Sequence, residues 1–164
     1  MQRHAGSLAI LLVLGLAGVG CNDGTEGQEA FQATLSGSEE VPPRPTGASG
    51  SAGVTVEGNT IHYSVEVRGI SDVIGAHIHL APRGTNGPIR LSLFPGGTAN
   101  ITDPTGAVNG ILIQASAPAS DLQGGISLAD LVGNIRSGNA YVNVHTTTFP
   151  GGEIRGQLQT LSLD

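Results

Sequence analysis

Thirteen acidic side chains outnumber seven arginines in this 164-residue chain, which has no lysine and a net charge of −6. Such a surface repels phosphate backbones, and no basic patch argues otherwise, so nucleic acid is excluded as a partner. A single cysteine rules out an internal disulfide, while two tyrosines, three phenylalanines and no tryptophan are too few and too scattered for a carbohydrate-stacking platform.

The chain opens on Met1-Gln2-Arg3-His4 and then runs from Leu8 to Val19 as an almost unbroken apolar stretch. That length suits the hydrophobic region of a secretory signal and is too short to span a bilayer. Gly18 and Gly20 precede Cys21, an arrangement that resembles a bacterial lipobox, although both glycines also suit ordinary signal peptidase. Residues 1–20 are therefore expected to be a signal peptide. Cys21 is expected to be lipidated, leaving an exported protein anchored in the cell envelope through its lipid. Residues 21–29, polar and acidic, read as a flexible tether with a reach on the order of 16 Å. Residues 30–162 then form one β-domain.

From Phe31 onward the hydrophobic period is two. Phe31 to Ser36 reads as a first strand, and Val54 and Val56 bracket Thr55 in a second. Glu57-Gly58-Asn59-Thr60 is a hairpin signal. Beyond it Ile61, Tyr63, Val65 and Val67 alternate with His62, Ser64, Glu66 and Arg68, the pattern of a strand with one buried and one solvated face. Further strands are expected at Ile74 to Ala81, Ile89 to Leu93, Gly110 to Gln114, Ala140 to His145 and Glu153 to Thr160, separated by Pro- and Gly-rich turns. Leu128, Leu131, Val132 and Ile135 recur instead at helical spacing, with Ser127 as N-cap and Gly138 past the end, which predicts one short helix. Pro42 to Gly53 and Phe94 to Asn109 read as mobile loops. The sum is an all-β fold, an antiparallel Greek-key sandwich or barrel of seven or eight strands with a single helix.

One constellation carries chemistry. Alternation along a strand puts His77 and His79 on one face and Ala76, Ile78 and Leu80 on the other. If the strand carrying His145 pairs nearby with Val142 and Val144 facing the core, the third imidazole joins the first two. Imidazole nitrogens suit copper and zinc, and three of them leave a coordination position open. Donor nitrogens within about 3–4 Å of one another could share an ion, given Zn–N bonds of about 2.0–2.1 Å. The other reading is that these histidines bond loop backbone and fix strand ends. Glu153, Asp72 and His62 are candidates for a fourth ligand, and nothing in the spacing selects one; His62 is expected to be exposed.

Glu153 and Arg155 share a strand face, where they either brace the sheet as an ion pair or serve the site. In the second case Arg155 attracts an anion and Glu153 orients an imidazole N–H, a task Tyr141 or Asn143 could take instead. Glu39 and Glu40 read as solvated, and Glu40-Val41-Pro42-Pro43 as a rigid strand exit. No Gly-x-Ser-x-Gly elbow occurs, and the glycine-rich stretches join strands rather than cradle phosphate.

The ordered set Phe31-Gln32-Ala33-Thr34-Leu35-Ser36-Gly37, Glu40-Val41-Pro42-Pro43, Ala76-His77-Ile78-His79, Tyr141-Val142-Asn143-Val144-His145-Thr146 and Pro150-Gly151-Gly152-Glu153-Ile154-Arg155-Gly156-Gln157 resembles the chordin-type (CHRD) domain family over about Glu29 to Gln159. That family occurs in bacterial exported proteins and in animal chordin, an extracellular antagonist of signalling ligands. The resemblance implies a β-fold, a place outside the cytoplasm and an extracytoplasmic protein partner. A weaker likeness is to the Cu/Zn superoxide dismutases, in which His77 and His79 would match a His-x-His copper pair, His145 a later ligand and Arg155 the anion-guiding arginine. The bridging histidine, the zinc loop and the disulfide pair are absent, so the likeness implies a simpler three-histidine site for copper or zinc. Two functions are expected from these features: a membrane-tethered binding or scaffold module without turnover, or a copper-dependent oxidoreductase of superoxide dismutase-like type.

Overall fold

The structure is a computed structural model and describes residues 29–94 and 106–161. The expected signal peptide, Cys21, nearly all of the tether and most of the Phe94 to Asn109 loop lie outside the described residues. Among the described residues no helix is long and apolar enough to cross a membrane.

Among the described residues nine strands follow one another as β1 (Glu29–Ser36), β2 (Ser49–Glu57), β3 (Thr60–Ser71), β4 (Val73–Leu80), β5 (Ile89–Phe94), β6 (Ala107–Pro118), β7 (Ala140–Thr146), β8 (Ile154–Gln157) and β9 (Gln159–Thr160), with helix α1 (Leu128–Arg136) between β6 and β7. All join one sheet in the order β5-β4-β7-β8-β1-β2-β3-β6, with β9 also pairing β1. Every pairing is antiparallel. The all-β expectation is borne out, and of the two architectures it left open the sheet curls into a nearly closed barrel. Among the described residues β5 and β6, the ends of this order, form no ladder with each other; β5 is tied instead to β3, where Tyr63 Oη donates to the Leu93 carbonyl at 3.4 Å, and to the segment after β6, where Gln123 N–H donates to the Arg90 carbonyl at 2.8 Å.

The core follows from the period-two pattern. Ile61, Tyr63, Val65 and Val67 on β3, Ala76 and Ile78 on β4, and Val142 and Val144 on β7 are all buried. The predicted helix begins where its capping chemistry places it, because Ser127 Oγ accepts from Asp130 N–H at 3.1 Å while Asp130 Oδ2 accepts from Ser127 N–H at 2.9 Å. Its Leu131, Val132 and Ile135 are buried against the barrel.

Two expectations need correction. The stretch from Pro42 to Gly53 is not a loose loop: β2 already starts at Ser49, and residues 40–48 form a strap held by Arg44 N–H to Gly37 O at 2.8 Å and by Thr46 Oγ1 to Glu153 Oε1 at 2.7 Å. The expected last strand is two, since at Leu158 the chain leaves β7 and passes to pairing with β1 alone.

Candidate metal centre

Register sets the site. Between β4 and β7, Gly75 lies opposite His145, His77 opposite Asn143 and His79 opposite Tyr141, and β8 extends two of these rows with Arg155 beside Asn143 and Gln157 beside Tyr141. Because Ala76, Ile78, Val142 and Val144 occupy the inner face, all of these polar side chains point out of the barrel. Most of them are nonetheless covered, with His77 and His145 half-buried. Tyr141, Asn143 and Arg155 are at most 3% exposed and His79 is 8% exposed.

The structure brings His77, His79 and His145 together. The His77 ring centroid lies 4.9 Å from that of His145 and 5.7 Å from that of His79, and the His79–His145 separation is 6.0 Å. One nitrogen from each ring lies within 4.8 Å of the others. That limit is wider than the ~3.3 Å between ligands on a tetrahedral ion with 2.0–2.1 Å bonds, so loading requires the most distant pair to close by up to about 1.5 Å. Gly75 makes the crowding of this row possible, as a Cβ there would stand 3.0 Å from His77 Cε1.

Backbone carbonyls fix two of the tautomers. His79 Nδ1 is 2.9 Å from Gly87 O and His145 Nδ1 is 3.0 Å from Pro150 O. A carbonyl only accepts, so each Nδ1 carries the proton and each Nε2 keeps its lone pair. Those two Nε2 atoms, and His77 Nδ1, are buried without a hydrogen-bond partner among the described residues. Burial first, then the neighbouring His145 and His79, pushes His77 down to about 4. Burial likewise lowers His79 and His145, against the opposing pull of their carbonyl partners. At neutral pH the cluster is three neutral rings with free lone pairs.

A second ring of contacts holds the first. Tyr141 stacks on His79 at 4.9 Å with 8° between planes, and its Oη accepts from Gly87 N–H at 3.1 Å. The Arg155 guanidinium lies 4.1 Å from the Tyr141 ring and donates to Thr85 O at 3.1 Å and Asn86 Oδ1 at 2.9 Å, pinning the 81–88 loop that delivers Gly87. Glu153 accepts from Thr46 Oγ1 and Thr146 Oγ1, each at 2.7 Å. Among the described residues Glu153 and Arg155 therefore do not pair with each other. Of the possible fourth ligands, Asp72 sits at the β3–β4 turn and accepts from Gly106 N–H at 3.3 Å, while His62 is exposed on β3 with Glu57 at 3.8 Å. Neither belongs to the histidine cluster.

Glu40 is a correction. It is 3% exposed rather than solvated, because the strap turns it inward against Asn143, whose Nδ2 donates to Glu40 Oε2 at 3.4 Å. Its neighbour Glu39 meets Arg83 at the surface. The prolines after Glu40 were the available signal, since a rigid exit also fixes where the preceding side chain is delivered.

A family model described as the CHRD domain matches residues 31–158, which takes in every residue of this site. The chain belongs to the CHRD domain family. It is also similar to chordin of Xenopus laevis, 29% identical over 139 residues. The alignment covers 79% of this chain and 13% of chordin, so this CHRD domain corresponds to a small part of that protein. No solved structure matches the chain significantly.

Proposed function

We propose that this CHRD domain is an exported binding module, carried at the membrane by a lipid on Cys21, in which His77, His79 and His145 hold one copper or zinc ion. Three buried ring nitrogens without partners, two of them aimed by carbonyls on the opposite side of the ring, carry the reading. Each unpartnered buried nitrogen costs about 1–3 kcal/mol, and one ion relieves all three. The donor set is neutral and all-nitrogen, which fits copper or zinc, and carbonyl-oriented imidazoles are the usual support of such ligands. The ion would leave a coordination position open to a group on an extracytoplasmic protein partner. A partner of that class is what membership of a family shared with chordin supports.

Metal analysis tests this directly. Protein loaded with Cu(II) or Zn(II) and desalted is expected to retain one ion per chain, and His77→Ala or His145→Ala to lose it. Wild-type protein that retains none at neutral pH refutes the metal site.

A further inference from the structure

The outer face of β7 carries one buried polar side chain that the histidine cluster does not use. Asn143 stands between His77 and Arg155 in the register, and its amide meets Glu40, which arrives on the strap after the Gly37–Glu39 turn. One bond of this contact is made, Asn143 Nδ2 to Glu40 Oε2 at 3.4 Å. The remaining oxygens, Glu40 Oε1 and Asn143 Oδ1, are both buried without a partner among the described residues, and both lie within 2.6 Å of the point where a Cβ on Gly152 would stand. An ionised carboxylate and an amide carbonyl are acceptors only, so an ionised Glu40 leaves two buried acceptors crowded together with no donor. A single proton on Oε1 changes the account at both atoms. Glu40 then donates to Asn143 Oδ1 and accepts from Asn143 Nδ2, closing a two-point acid–amide pair.

We propose that Glu40 is held as a neutral carboxylic acid bonded to Asn143, and that this pair is a positioning device for His145. The mechanical link is short. Gly152 packs against both members of the pair, its carbonyl accepts from Arg44 Nε of the strap at 3.3 Å, and its N–H donates to Phe149 O at 3.0 Å. The turn so clamped contains Pro150, whose carbonyl takes the His145 Nδ1 proton. The pair stands without any ion; only its effect on ion uptake rests on the metal reading above.

The charged groups around Glu40 are Arg155 from β8 and Arg44 from the strap, with the Val41 N–H and Asn143 as neutral donors. All favour the ionised form. Among the described residues neither arginine comes within ion-pairing distance, because Arg155 is committed to Thr85 and Asn86, and Arg44 to Gly152 and the Phe149 ring. Burial outweighs their attraction and pushes the carboxyl up to about 7 from an ordinary 4.5. A raised carboxyl makes the native state bind the extra proton, so its contribution to stability is complete below pH 4.5 and is lost as pH rises through about 7. The lowered histidines act in the opposite direction, losing stability as pH falls. Comparison with Glu40→Gln separates the two, since glutamine supplies the donor and acceptor of the neutral acid and cannot titrate.

In metal-free protein carrying 13C-labelled glutamate, the Glu40 carboxyl resonance is expected to titrate near pH 7. Relative to Glu40→Gln, the folding equilibrium constant of the wild type is expected to fall by about tenfold per pH unit between pH 5 and 7. Zn(II) affinity is expected to drop from pH 6 to pH 8 in the wild type relative to the glutamine variant. A Glu40 resonance titrating near 4.5, or stability profiles of wild type and Glu40→Gln that run parallel, overturns the pair. A normal Glu40 titration is thus decided on the wild type alone, whatever the variant does. Failure of both proteins to take up Zn(II), with the resonance still moving near pH 7, refutes the metal site and the pair's action on it while leaving the acid–amide bond established.

Discussion

Gly87 shows how a residue without a side chain governs the histidines. Its carbonyl sets the tautomer of His79 and its N–H bonds Tyr141 Oη, so one residue, through the two peptides it joins, holds the imidazole and the ring stacked on it. A Cβ at this position would collide with the Leu80 carbonyl, which is backbone and cannot turn aside. Gly87→Ala is therefore expected to displace the 81–88 loop, to destabilise the domain by about 1–3 kcal/mol, and to weaken Zn(II) binding at least tenfold as the His79 tautomer is freed. Calorimetric titration together with urea unfolding checks both effects, and unchanged affinity would remove Gly87 from the support of the site. His77 and His79 were legible as a pair in the sequence because alternation on a strand is a local property of the backbone. Glu40 was not: an adjacent pair of acidic residues carries a solvated signature, and only the strap that folds over it, bonded through Arg44 and Thr46, makes it buried.

Among the elements, α1 had the clearest start signal and β8–β9 the poorest boundary. The helix is started by groups within a few residues of each other, as the reciprocal Ser127–Asp130 bonds show. Ser127→Ala is expected to cost about 1 kcal/mol, read as a lower urea midpoint with an unchanged slope, whereas Ser127→Asp retains most of the cap. A null effect of the alanine variant would mean that packing of Leu131 and Ile135 holds the helix without it. By contrast the break at Leu158 reflects a change of partner. The backbone there leaves β7 with Leu158 N–H bonded to Ala140 O at 2.9 Å, while Gln159 and Thr160 pair only with β1. Continuous strand-like sequence gives no sign of such a switch, because both partners accept the same alternation.

For the whole molecule, one curled sheet replaces the choice between sandwich and barrel. Crossovers that seat β7 between β4 and β8, and β1 between β8 and β2, bring the first and last strands side by side. Cys21→Ser is expected to shift the protein from the membrane fraction to the soluble extracytoplasmic fraction; unchanged partitioning would refute the anchor.

Strand periodicity, the helix cap, the turn residues and the shared face of His77 and His79 are all written in the order of amino acids, because each depends on dihedral preferences and side chains a few positions apart. The pairing of β4 with β7 that adds His145, and the strap and loops that dry the outer face of that sheet, came only with the tertiary structure. Both are contacts between distant stretches of chain, decided by which surfaces bury best against each other, and no local pattern encodes that competition.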